Sequence, residues 1–290
     1  MTPTENIPQS ELLGEIVTWD MGAMEVPLSQ VQSALGAAGI PDDEIRELRN
    51  TTAFSRAIKE FRKDRTIDKV EKQGDAVTFQ FTQKYLQDAR LNFSYEAKVT
   101  LDTATGDISC PESWEIEGHA QTRFAHCKQH RVTSDVTRLV QKLFERHADL
   151  YPINPRKGVA YFVPEAHREF SGKVETFLRS LGGVLLRFPV PKGTPEGNRS
   201  VQAAVETGLE TLTEELDEAV DEWSSSTRDD TMMRAAEKIR LIRYKIQAYA
   251  EYLGDGQSRL MKRLEDSQKR LLERVEAIQA EKANEKAVAV

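Results

Sequence analysis

The run LNFSYEAKVTLD, residues 91–102, constrains the fold more than any other stretch of the chain. Leu91, Phe93, Tyr95, Ala97, Val99 and Leu101 alternate with Asn92, Ser94, Glu96, Lys98, Thr100 and Asp102. Successive side chains of a strand point to opposite faces, so this alternation predicts a half-buried antiparallel strand. AVTFQFTQ repeats the pattern, with Val77, Phe79 and Phe81 against Thr78, Gln80 and Thr82. TATGD then turns the chain and ISC begins a return strand. Residues 66–117 are therefore expected to form an antiparallel sheet with one wet face.

Helices are expected on either side. LLGEIVTW, at 12–19, is a short apolar strand or turn-flanked run. Pro27 suits a helix start, with Val31, Leu35 and Ala38 on one face and Gly39 as a stop. Pro41 opens a second short helix, and TTAFSRAIKEFRKDR a third, with Phe54, Ile58 and Phe61 in register. Thr133 or Ser134 caps a longer helix striped by Val136, Leu139, Val140, Leu143 and Leu150. Residues 158–191 read as strand, helix, strand. Val159, Tyr161 and Val163 face one way, Ala160 and Phe162 the other, so both faces are apolar and the strand belongs to a core. A phosphate-binding turn would need glycines where VPEAH stands, but Pro164 lacks an N–H and Glu165 would repel the anion. His167 reads as a surface residue.

PVPKGTPEGN, at 189–198, reads as a linker. Beyond it the pattern is helical. Val205, Leu209, Leu212, Leu216 and Val220 mark one helix, and Ile239, Ile242, Ile246, Tyr249 and Leu253 a second. The first carries eight acidic residues between Glu206 and Glu222 and no basic one. The second is basic, through Arg234, Lys238, Arg240, Arg243 and Lys245. Opposite charge and similar length predict an antiparallel hairpin. After Gly254-Asp255-Gly256, Leu260, Leu264, Leu271, Val275 and Ile278 mark a third, net-basic segment. If it continues the second helix, its stripe is exposed and must meet another chain. That predicts a homo-oligomer with those residues as contacts.

The fold class is therefore α+β. Residues 1–11 are expected to be disordered. Residues 12–117 form a helix and antiparallel-sheet domain in winged-helix order, and 118–191 a strand–helix–strand unit packed on it. Residues 192–199 are a linker, 200–281 a helical hairpin or coiled coil, and 282–290 a frayed tail. Among the 290 residues, 30% are charged and the net charge is −7, which argues against a surface built to coat nucleic acid throughout. No apolar run is long enough to span a bilayer, the N-terminus lacks signal-peptide character, and two cysteines suit a reducing cytosol. A cytoplasmic protein without a membrane partner is expected.

GVAYFVPEAH followed by LGGVLLRFPVP and a helical tail resembles a family of uncharacterised proteins of bacteria and their phages, over most of the chain from Leu13. The resemblance implies a bacterial or mobile-element setting and carries no chemistry with it.

Three candidate chemistries remain. Arg56, Lys59, Arg62, Lys63 and Arg65 lie on the third helix before two strands, as the cations of a DNA-reading helix at 53–72 would. Cys110, His119, His126, Cys127 and His130 are zinc-ligand types, but no CxxC pair or HExxH triplet orders them, so buried thiols and solvated imidazoles are expected instead of a metal site. No GxSxG elbow or Cys/His signature supports nucleophilic catalysis. The expected function is a non-catalytic assembly or adaptor protein, without a cofactor, working through the helical tail with itself and another protein as partners. DNA binding through 53–72 is the alternative, and a metal-dependent enzyme at 110–130 the third.

Overall fold

A computed structural model describes residues 11–41, 45, 47–87, 90–154 and 159–288. The fold is α+β. The chain divides into two units that do not follow sequence order. One combines the described residues of 1–20, 143–175 and 183–290; the other combines those of 21–142 and 176–182. The boundaries expected at 117 and 192 thus give way to a unit in which the N-terminal strand joins the helical tail.

In the second unit, β2 (Glu25–Pro27) leads into α1 (Leu28–Ala37), which buries Val31, Ala34 and Leu35. The helix expected after Pro41 falls partly on residues outside those described, and the described ones before Asn50 are not helical. The third helix is shorter than expected. It is α2 (Asn50–Ala57), followed by a 3-10 stretch, Ile58–Lys63. Then come β3 (Arg65–Gln73), β4 (Ala76–Gln87), β5 (Arg90–Asp102) and β6 (Ile108–Ser109), antiparallel neighbours in that order. Ser113 accepts from the Ile116 N–H and caps α3 (Trp114–Gln129). β7 (His130–Val132) pairs with β2, and α4 (Thr133–His147) follows. One sheet face packs Ile67, Phe81, Ala97, Val99 and Leu101 against Phe54, Ile58, Ile116 and Ala120.

The expected single stripe of β5 is cut in two. Phe81 pairs with Ala97 but Thr82 pairs with Tyr95, so Glu96 is an extra residue in the ladder. Side chains alternate with period two, so one inserted residue moves everything beyond it to the opposite face. Ala97, Val99 and Leu101 are fully buried, whereas Leu91, Phe93 and Tyr95 are 57%, 57% and 53% exposed. Glu96 is held at the bulge by Arg65 Nε and Nη2, at 2.6 and 2.8 Å.

In the first unit, β1 (Leu12–Asp20) lies between β10 (Val184–Pro191) and β9 (Tyr161–Pro164), with β8 (Tyr151–Pro152) beyond β9. α5 (Arg168–Ser180) follows a short 3-10 turn, Glu165–His167. The strand–helix–strand expectation is met with β1 inserted between the two strands. β9 is buried throughout, as its two apolar faces demand, although Val159 before it is 64% exposed. Glu15 on β1 is buried and takes Arg187 Nη2 at 2.9 Å.

The expected linker is strand to Pro191, a turn, and helix from Pro195. Pro195 stands in the first turn of α6 (Pro195–Asp221), where its missing N–H costs nothing. α7 (Asp229–Ala248), α8 (Ala250–Leu253) and α9 (Gly256–Val288) complete the tail, and α9 reaches Val288, among the residues expected to fray. Gly254 adopts φ +50°, the left-handed conformation a reversal needs, and a Cβ at Gly256 would collide with the Glu206 carboxylate. The chain therefore turns at GDG and α9 folds back. α6, α7 and α9 form a three-helix bundle around Leu209, Leu216, Ile242, Ile246, Leu264 and Leu271.

Candidate functional site

Four groups of side chains bear on function, each within a single unit. The first is the wet face of the β3–β6 sheet. Beyond the Glu96 bulge, Leu91, Phe93 and Tyr95 stand opposite Leu86, Lys84 and Thr82, and Leu86 is 77% exposed. Tyr95 donates its hydroxyl proton to Glu112 at 2.7 Å, which fixes the ring. Lys98 lies on the same face, as do Asp68 and Glu71 on β3 through their pairing with Gln80 and Thr78. The face is thus apolar at the distal end of the hairpin and balanced in charge nearer the middle of the sheet.

The second group is the set of cations expected to read DNA. Its helix ends at Ala57, so the five residues do not share one helical face. Arg56 makes two 2.6 Å hydrogen bonds to Asp135. Arg65 is taken by Glu96 and Asp64. Lys59, Arg62 and Lys63 are exposed and make no ion pair among the described residues. Lys59 and Lys63 open with Arg56 and Arg123 on a cavity of 510 Å³, from which Arg62 is absent.

The third group, the zinc-ligand types, is dispersed. Cys110 is buried in the sheet core, and burial raises its thiol pKa. Cys127 is buried as well, with its pKa raised chiefly by desolvation. His119 packs edge-on against Phe61, with Nε2 3.4 Å from Glu60. His126 and His130 stack at 3.8 Å; the His130 Nδ1 meets the His126 carbonyl at 2.9 Å, and the His126 Nδ1 lies 3.3 Å from Glu25 without a hydrogen bond. Among the described residues no three or more His, Cys, Asp or Glu side chains gather as a metal site. A chelator is expected to leave the melting temperature unchanged; stoichiometric zinc released together with stability would reverse that assignment.

The stripe expected to contact another chain is interior. Leu260, Leu264, Leu271 and Ile278 are at most 4% exposed and Val275 is partly buried, all against α6 and α7 of the same chain. The charges explain why. Arg259 reaches Glu206 and Glu210, Arg263 reaches Glu214, and Arg270 lies near Asp217 and Asp221. The acidic helix is matched mainly by α9, running parallel to it, while α7 contributes Lys238 to Glu215. Each exposed pair is worth a few tenths of a kcal/mol at most, so the apolar seam supplies stability and the charges set alignment.

A fourth group was not visible in the sequence. Asp149, 8% exposed, accepts hydrogen bonds from Lys245 Nζ and Tyr249 Oη and lies 3.4 Å from His167 Nε2. His167 also meets Tyr249 Oη at 3.0 Å, so this half-buried imidazole is tied into the network and does not lie free at the surface. Burial alone would raise the Asp149 pKa, but hydrogen bonds from His167, Lys245 and Tyr249 outweigh it and bring it to about 2. Burial, with the adjacent Asp149, pushes the Tyr249 hydroxyl well above the ordinary range. A 480 Å³ cleft borders the cluster, between the 145–152 segment, α6 and α7. So acidic a carboxylate, saturated with donors, is a poor base at neutral pH and a good anchor. The one sequence signal was Lys245, set between Ile242, Ile246 and Tyr249 on an otherwise apolar seam.

No helix among the described residues is long and apolar enough to cross a membrane. The profile of a family of unknown function (DUF6744) matches residues 12–283, and the chain belongs to that family. No curated protein and no solved structure matches it.

Proposed function

We propose that this family member is a non-catalytic binding protein of a bacterial or mobile-element system, acting in the cytoplasm, with the wet face of the β3–β6 sheet as its recognition surface and another protein as its partner. The observation that carries the reading is the Glu96 bulge, which moves Leu91, Phe93 and Tyr95 out of the core beside Leu86. Bulges that re-aim side chains are built features, and clustered exposed aromatics are the usual anchors of protein interfaces. Lys84 and Lys98 against Asp68 and Glu71 leave the face without the positive excess a phosphate backbone requires. With the Leu260–Ile278 stripe buried at home, an adaptor role rests on the sheet and not on the tail. A nucleic-acid partner is the second reading, favoured by Lys59, Arg62 and Lys63, which make no ion pair among the described residues.

The test is photo-crosslinking from benzoylphenylalanine at position 93 in the native cell. A discrete crosslinked protein is expected, and Leu91→Ser with Tyr95→Ser should abolish it without lowering the melting temperature. A crosslink to nucleic acid, or one insensitive to those substitutions, would sink the reading.

A further inference from the structure

We infer that the cavity walled by Arg56, Lys59, Lys63 and Arg123 is a binding site for a small phosphorylated anion. This goes beyond the protein-binding role and uses none of its residues. Four cations reach the cavity from three elements: Arg56 from α2, Lys59 and Lys63 from the 3-10 stretch, and Arg123 from α3. Two carboxylates, Glu25 and Glu60, line it with them, and a third, Asp135, is paired with Arg56 without lining the cavity. The cavity measures 510 Å³, room for a phosphate or diphosphate group and its attachment.

The cations divide into fixed and free. Arg56 is clamped by Asp135 through both terminal nitrogens at 2.6 Å, so its plane is set before any ligand arrives. Arg123 is held by Glu60 at 2.8 Å, yet its Nε is buried and has no hydrogen-bond partner. Lys59 and Lys63 are exposed and make no ion pair among the described residues. Two oriented guanidiniums beside two exposed ammoniums suit a compact multivalent oxyanion: the forks give direction and the lysines give charge. Ser134, in the first turn of α4, is also on the wall. The buried Cys127 thiol between these groups contributes no negative charge, since burial keeps it protonated.

A phosphate on a small molecule fits this better than a nucleic-acid backbone. A backbone needs a track of cations spaced along a surface. The two residues that would extend the cluster into a track do not: Arg62 is off the cavity and Arg65 is spent on Glu96.

The experiment is calorimetric titration of the full chain with inorganic pyrophosphate and with inorganic phosphate, at low ionic strength. Saturable one-to-one binding is expected, tighter for pyrophosphate. Lys59→Ala with Lys63→Ala should weaken it about a hundredfold, since each charged hydrogen bond lost is worth about tenfold. Lys59→Arg with Lys63→Arg should largely retain it. Both lysines are exposed, so an unchanged melting temperature will separate lost binding from lost fold. No saturable binding of either anion, or equal affinity in the alanine variant, would overturn the inference. So would a short single-stranded oligonucleotide that binds through these lysines and is not displaced by pyrophosphate.

Discussion

Replacing Leu264 with aspartate is expected to prevent the three-helix bundle from forming, and replacing it with alanine to cost about 2–5 kcal/mol. Leu264 is fully buried, in the seam shared by α6, α7 and α9. Alanine removes apolar contact and leaves a cavity; aspartate adds an unpaired charge with no partner in the seam. Chemical denaturation followed by circular dichroism reads both. The same substitutions discriminate between the two topologies available to the tail. In an α9 that ran on from α7 toward a second chain, Leu264→Asp would give a stable monomer. In the fold-back bundle it gives a destabilised chain at every concentration. A folded, monomeric Leu264→Asp protein would therefore contradict the bundle.

The tail shows what one-dimensional pattern can and cannot carry. Its apolar stripes and their helices were legible, because period and charge are local properties of the sequence. The direction of the chain after Leu253 was not. Glycine in GDG permits both a turn and a continuing helix, and the choice depends on what α9 finds to pack against. The deciding residues were present, since Arg259, Arg263 and Arg270 are spaced to meet the acidic face of α6, but nothing local says that the acids belong to the same chain. The β5 strand fails in the opposite way. Its alternation is so regular that no bulge is signalled, yet β4 puts Phe81 and Thr82 opposite Ala97 and Tyr95. A register shift is a property of a pair of strands, and the pattern of one strand does not contain it. The two-sided burial of β9 was legible because both of its faces are apolar. His167 was not placed, because its partners Asp149 and Tyr249 lie 18 and 82 residues away in the chain.

Removing the carboxylate of Asp149 is the second large effect expected. Asp149→Ala leaves the Lys245 ammonium, whose side chain is 16% exposed, without its partner, and strips Tyr249 of its acceptor. Breaking a buried pair from one side costs about 3–5 kcal/mol, most of it the penalty of the stranded charge. Tyr249→Phe, which removes one donor and leaves the ion pair, should cost only about 1–2 kcal/mol. Asp149 also gives the protein an acid limit. Its pKa stands at about 2 in the folded chain against an ordinary 3.8. A carboxyl whose folded pKa is depressed stabilises fully above its unfolded pKa, and that contribution disappears as pH falls through the folded value. That depression corresponds to roughly 2–3 kcal/mol, present at neutral pH and lost between about pH 4 and pH 2. Asp149→Asn cannot titrate, so its stability should fall less steeply across that window than that of the unmodified chain. Urea denaturation at pH 6, 4 and 3 measures the difference in slope. Parallel curves for the two proteins would mean that the carboxylate is not held by Lys245, Tyr249 and His167, and that the 145–152 segment is tied to α7 by packing alone.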